Sequence, residues 1–245
     1  MLWSLFLCLI VSFAITQVTV FSTTIFLHRC CTHKALELHP AVAFVFRLAI
    51  WLTTGLSTRE WVAVHRKHHA FTEVEGDPHS PHLYGFWSVQ LGNVFHYMKE
   101  AKNPETLDRY ARDIRRDAWE RSLFRFGILG PAVGITALSL LMGFWWAALA
   151  SAIHLFMYVF VLSSSINGLC HYVGYRNFDN TATNIRLVAL FTGGEGLHNN
   201  HHGHPRSPKF SFRPSEVDPS WPIIRLLAAL KLAHPYKTIE EIHAQ

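Results

Sequence analysis

Nine histidines in this 245-residue chain stand at spacings suited to holding metal. They form four groups: His28-Arg-Cys-Cys-Thr-His33, His65-Arg-Lys-His68-His69, Asn167-Gly-Leu-Cys-His171 and His198-Asn-Asn-His201-His202. On a helix, positions i, i+3 and i+4 share one face. His65, His68 and His69 therefore converge, as do His198, His201 and His202, and Asn167 sits one turn from His171. His28 and His33 are five apart, about 140° around an α-helix, so the helix is expected to end or bend between them. Nine imidazoles can serve two metal ions with four or five ligands each. Clustered imidazoles that bound nothing would repel one another when protonated and crowd when neutral. Imidazole alone admits zinc, copper, iron or nickel. The chain lacks the paired carboxylates of the soluble di-iron helical bundles. Glu195 is the one acidic residue close to the last box. It is a candidate for orienting a ligand's second nitrogen, and equally for helix packing or surface exposure.

The other eight histidines carry no such pattern. His39, His96, His154, His234 and His243 are expected to be structural, and so are His79, His82 and His204, which lie near the boxes but outside their spacing.

The elements that must position these groups show in the charge distribution. Only 16% of residues are charged, against about 25% in a usual soluble domain. Residues 1–27 and 126–175 contain no Asp, Glu, Lys or Arg, so all 22 Lys and Arg fall in 29–125 and 176–245. That distribution excludes an ordinary soluble enzyme, a disordered tail and a nucleic-acid binder whose surface explains the net charge of +5. The chain reads as an integral membrane protein. Twenty-seven uncharged residues reach about 40 Å as helix, enough to cross a core of about 30 Å. The opening MLWSLFLCLI is therefore read as part of a retained span over 2–27 rather than a secretory leader. The second uncharged stretch suits two crossings, 126–144 and 147–170, with a turn at Gly143-Phe144-Trp145-Trp146 where paired Trp fits an interfacial belt.

Residues 41–58 are apolar but interrupted by Arg47. If they crossed, the basic sequences on their two sides would be separated; the positive-inside rule favours an interfacial or re-entrant helix instead. The N-terminus is then outside and the C-terminus inside. Residues 59–125 and 171–245 form a cytoplasmic cap, and all four histidine groups lie at one depth on that side. The expectation is a single all-α membrane domain over 1–245. Residues 103–125 mix both signs as on a solvated helix. Residues 221–234 have apolar residues at helical spacing, for packing on the membrane surface or on the cap. The four cysteines suggest no disulfide framework.

The boxes HxxxxH, HxxHH and a terminal HxxHH, with Asn-x-x-x-His before the last, resemble those of the membrane fatty acyl desaturases. EWVAVHRKHH followed by EGDPHSP, and later CHYVGYR and GEGLHNNHH, resemble the Δ9 class. LHRCCTHKALELHP and LTTGLSTREWVAVHRKHHA resemble bacterial Δ9 desaturases linked to phospholipid acyl chains. The likeness covers about residues 10–235. It implies two iron ions that activate O2 and remove two hydrogens from a saturated acyl chain, leaving a cis double bond. The ligands carried over are His28, His33, His65, His68, His69, His171, His198, His201 and His202, with Asn167 reaching the metal through water. It further implies a bent apolar tunnel, for which Phe26, Phe156 and Tyr158 are candidate linings, and a bacterial cytoplasmic membrane. Animal acyl-CoA desaturases have an Arg-Asp pair just before the second box; here those positions are Ala63 and Val64. That departure leaves a phospholipid-borne chain at least as well supported as a CoA thioester. Nothing resembles a fused cytochrome b5 or iron–sulfur domain, so electrons are expected from a separate ferredoxin- or cytochrome b5-like donor.

Two other functions compete. A hydroxylase or alkane monooxygenase of the same superfamily would add oxygen instead of removing a second hydrogen. A metal transporter would need a polar path through several spans, and His154 is the one ionisable residue of that kind. An inactive relative is disfavoured because no expected ligand is missing.

Overall fold

The uncharged first stretch folds as α1 (Leu2–Thr32), one of two helices long and apolar enough to cross a membrane among the described residues; the other is Phe144–His171. The structure is a computed structural model and describes residues 2–244. α1 is α-helical to Ser22 and then winds as a π-helix over Thr23–Thr32. Its buried face carries Cys8, Ser12 and Thr16, small residues at i, i+4 and i+8 that let another helix come close.

α2 (Pro40–Thr54) starts at His39, whose side chain accepts from the Ala41 amide, with Pro40 in the first turn. It ends at Gly55, which takes φ +68°, a conformation that favours glycine. α3 (Thr58–Ala70), capped by Ser57, leaves at 90° to α2. The two helices make a right-angle elbow, the shape of a broken span or of a re-entrant loop.

α4 (Phe86–Glu100) packs on the inner end of Phe144–His171. Its outer face exposes Trp87, Leu91 and Phe95, so this part of the cap is apolar on the outside. α5 (Leu129–Met142) has 14 residues, about 21 Å, and is shorter than the span expected over 126–144. It lies against α2 so closely that a Cβ on Gly130 would come within 2.0 Å of the Trp51 carbonyl oxygen. Gly143 turns the chain into α6 (Phe144–His171), where a π-helical stretch, Phe156–Ser163, interrupts the α-helix.

α1 and α6 are tied by two polar contacts, Thr16 Oγ1 with His154 Nδ1 at 3.1 Å and Thr23 Oγ1 with Tyr158 OH at 2.8 Å. His154 is thereby accounted for as a helix-packing residue, as expected.

The cap is less regular than the sequence implied. Residues 103–125 do not form one helix: Pro104–Tyr110 and Glu120–Phe124 are helical turns on either side of an irregular stretch. Their acids are drawn elsewhere, Asp113 to Arg66 and Lys34, and Asp117 and Glu120 to Arg47. α7 (His198–Gly203) carries the last box. α8 (Ser220–Ala229) packs on the fold, with Ile224 in a cluster with Ile25, Leu36 and Ala233. Two three-residue strands, Leu36–Leu38 and Ala233–Pro235, pair antiparallel beside it.

Candidate metal centre

His28 lies in the last turns of α1 and His33 caps its end. The π winding of α1 closes i to i+5, with the His33 amide donating to the His28 carbonyl at 3.1 Å, so residues five apart come onto one side. Their rings are 4.9 Å apart. The helix does end between them, at Thr32, and its π winding brings the capping His33 back beside His28.

α3 divides its three histidines. His65 and His69 join His28, His33 and His201 in one group whose candidate ligand atoms all lie within 4.8 Å of one another. His68, one position earlier than His69, turns to a second group with His171, His198 and His202. α7 mirrors this: His198 and His202 go to the second group and His201 to the first. The i, i+4 pair of each box serves one group and the intervening histidine the other, so the two boxes interlock.

Carboxylates stand behind three rings, hydrogen-bonded to His28 and His68 and in close contact with His171. His28 Nδ1 lies 2.7 Å from Glu195, His68 Nδ1 lies 3.0 Å from Asp77, and His171 Nδ1 lies 2.8 Å from Glu73. Such partners set the tautomer and aim the other nitrogen at a metal. Asp77 is held in turn by the amides of Glu73 and His79, and Ser80 donates to Glu73. Of the two roles open to Glu195, the geometry is that of a partner to an imidazole. Asp77 and Glu73 were not singled out from the sequence, although Asp77 sits within the EGDPHSP run; neither is at helical spacing from its histidine.

The donor set fits metal ions. The Nε2 atoms of His33, His65, His68 and His171 are buried and have no partner. His201 Nε2 is 3.0 Å from His28 Nε2 and 2.9 Å from His69 Nε2, and His202 Nε2 is 3.2 Å from His198 Nε2. Facing nitrogens of this kind leave lone pairs unsatisfied unless a cation lies between them. Burial holds His65, His69, His198, His201 and His202 well below the ordinary histidine value, and neighbouring imidazoles add to this. Neutral imidazole is the form that binds metal.

A cavity of about 150 Å3 adjoins the first group, with His28, His65, His79 and Asn167 on its wall. It runs down between α1 and α6 past Ile166, Leu162 and Val159 to Val20, Thr23 and Tyr158. Of the three aromatic candidates, Tyr158 lines it; Phe26 is in a core cluster with Leu27 and Ile50, and Phe156 is exposed. Asn167 is on the cavity wall and is thus brought to the site. His79, expected to be structural, is buried against His68 with ring centroids 4.6 Å apart, and both its nitrogens lack partners. His204 pairs with His243 and His96 with Ser88, outside the centre.

The pattern described as fatty acid desaturase matches residues 2–215. This chain belongs to the fatty acid desaturase family. Within that family it is 33% identical to the Acyl-CoA C20 Delta5-desaturase of Anemone leveillei, over 91% of this chain and 72% of that protein. It is 30% identical to the sn-1 stearoyl-lipid 9-desaturase of Synechocystis sp., over 87% of this chain and 66% of the relative. The sn-2 palmitoyl-lipid 9-desaturase of Nostoc sp. is 31% identical, over 84% of this chain and 73% of its own length. Desaturases of this family are oxidoreductases acting on fatty acyl chains with O2, in a membrane context that the two long apolar helices suit.

Proposed function

We propose that this desaturase introduces a cis double bond, at Δ9, into a saturated acyl chain carried on phospholipid, with acyl-CoA as the alternative carrier. The observation that carries this reading is the largely apolar cavity beside the first of two interlocked histidine groups. His28, His33, His65, His69 and His201 would hold one iron, and His68, His171, His198 and His202 the other, with Asn167 reaching the metal through water. Iron held there would activate O2 to take two hydrogens from the chain, with two electrons and two protons supplied, leaving the alkene and two waters.

The chain's own residues do the rest. An unactivated methylene has no chemical handle, so its position must be set by the walls. Leu162, Val159 and Val20 offer apolar contact to the chain's methyl end, and the Thr23–Tyr158 pair floors the cavity. Glu195 and Asp77 hold their imidazoles in one tautomer. Ala63 and Val64 are buried and uncharged, so they give a CoA head group nothing to bind, which favours the phospholipid. The active centre would face the cytoplasm of a bacterial cell, and a separate ferredoxin- or cytochrome b5-like protein would supply electrons.

The test is the fatty-acid profile of cells lacking their own desaturase, with and without this protein, resolved by lipid class and double-bond position. New cis Δ9 chains appearing first in intact phospholipid are expected. Appearance first in acyl-CoA would restore the thioester, a Δ5 product would move the position, and oxygenated chains would indicate a hydroxylase. No change with two irons bound and a competent donor present would sink the acyl-chain reading.

A further inference from the structure

On the other side of the α2–α3 elbow from the acyl cavity lies a second, polar cleft of about 530 Å3. Its walls include Ser57 and Thr58 at the start of α3 and a run of arginines from the juxtamembrane segment, Arg115, Arg116, Arg121 and Arg125. The other two arginines on the wall are occupied: Arg47 pairs with Asp117 and Glu120, and Arg59 with Asp108. None of the four juxtamembrane arginines forms an ion pair among the described residues. Arg121 donates to the Arg116 carbonyl at 2.7 Å, and the Arg125 guanidinium lies 4.4 Å from the Phe126 ring.

The acids facing the cleft offset this cluster only in part, Glu60 near Arg116 and Asp117 near Arg121, with no ion pair to either arginine. Asp113, Asp117 and Glu120 are engaged by Arg66, Lys34 and Arg47. Glu60 has no ion pair, and burial, with Glu120 close by, pushes its carboxyl up against the pull of Arg116. Four guanidinium groups gathered in one concavity repel one another unless an anion joins them, and guanidinium matches phosphate by paired N–H donors.

The position of the cleft selects among anions. Arg125 immediately precedes the 50 uncharged residues 126–175, so the cluster stands at the polar edge of the membrane-embedded part. Its neighbours Trp119, Phe126 and Ile128 are 54%, 44% and 91% exposed. Exposed apolar groups beside a phosphate-binding cluster suit a ligand with a charged head and apolar tails, and basic pockets of this kind bind anionic head groups.

We propose that this cleft binds the phosphate of an anionic membrane phospholipid, with its acyl chains lying along Trp119, Phe126 and Ile128. The site is separate from the histidine centre and does not depend on the reaction catalysed there.

The test is lipid retention by the full chain purified in micelles. Phosphatidylglycerol and phosphatidylcholine are supplied in equal amounts and counted by native mass spectrometry. Wild type is expected to retain phosphatidylglycerol preferentially. The variant R115Q/R116Q/R121Q/R125Q should lose that preference by at least about tenfold, and the matching fourfold lysine variant should keep most of it. R206Q/R213Q/K231Q/K237Q removes the same charge elsewhere and should keep it in full. An unchanged preference in the cleft glutamine variant would overturn the proposal, as would equal loss in the control variant, which would mean diffuse attraction. Displacement of the lipid by inorganic phosphate, but not by chloride at equal ionic strength, would assign the cleft to a free phosphate instead. If the cleft variant kept the lipid but lost turnover with a reduced acidic donor protein, the surface would belong to that protein. An equal melting temperature for wild type and variant shows that loss of lipid is not loss of fold.

Discussion

His28 Nδ1 lies 2.7 Å from a carboxylate oxygen of Glu195, 167 residues away in sequence. Thr24, one turn earlier on α1, donates its hydroxyl to the same carboxylate. The contact joins the end of the first long helix to the turn before the last histidine box, so a candidate ligand and the chain segment that carries the opposing ligands are set by one interaction. A carboxylate behind an imidazole fixes which nitrogen faces a metal and raises its basicity.

Changing Glu195 to Gln should lower metal affinity about 10- to 100-fold while leaving the protein folded. Chelator competition on the purified protein measures this. Unaltered affinity would reduce Glu195 to a packing residue.

The same residue gives a pH dependence. Burial pushes the Glu195 carboxyl up to about 7, with Arg29 and Thr24 pulling against it. A folded value above the ordinary 4.5 means that the folded chain keeps a proton the unfolded chain has released. The resulting stability is full below about 4.5 and is lost as pH rises through about 7. The buried histidines, held below their ordinary 6.5, act the other way and outnumber it, because the unfolded chain takes up protons there that the folded chain does not. Chelator-treated protein should therefore melt lower at pH 5 than at pH 8, and Glu195→Gln, which lacks the contribution favouring low pH, should widen that difference; an equal difference in the variant would show that Glu195 does not titrate in this range.

His201 Nε2 stands between His28 Nε2 and His69 Nε2, at 3.0 and 2.9 Å. His201→Ala should abolish activity and lower bound metal with the protein still inserted in the membrane. His243→Ala, at the exposed pair with His204, should do neither. Full activity in His201→Ala would remove the ligand assignment.

Tyr158 floors the cavity. Tyr158→Ala should let it extend toward the Thr16–His154 pair and shift the product profile to longer chains. Tyr158→Phe removes only the bond to Thr23, so the profile should hold while stability falls by about 1 kcal/mol. Identical profiles for both variants would mean that chain length is set elsewhere.

Arg29 is fully buried and makes two bonds to Asp218, at 2.9 and 3.0 Å, and others to the Pro208 and Gly193 carbonyls. Asp218→Asn leaves a buried guanidinium without its charge partner and should destabilise the protein by about 3–5 kcal/mol. A thermal melt within a degree of wild type would show that the carbonyls alone satisfy Arg29.

Part of the centre was legible because helix periodicity is local. Three positions on one turn must share a side, so the box His65, His68 and His69 and the box His198, His201 and His202 could be read as converging. The long uncharged runs likewise identify α1 and α6, since backbone burial in lipid requires apolar helix. The stretch 126–144 misled by length: glycines at 127, 130 and 134 let a shorter α5 lie tight against α2. The mixed charges of 103–125 misled because their acids pair with Arg47, Arg66 and Lys34 from other elements, not with neighbours on one helix.

The sequence by itself determined the residue types, the boxes and the membrane character, all of which depend on neighbours within a turn or on the composition of a run. Only the tertiary structure decided how the nine histidines divide. His68 and His69 are adjacent in the chain yet join different groups, because successive helical side chains point about 100° apart and each meets a different set of histidines. It also decided which carboxylates stand behind the rings. Glu195 meets His28 and Glu73 meets His171 across 167 and 98 residues of chain, and no local spacing encodes a contact made by packing.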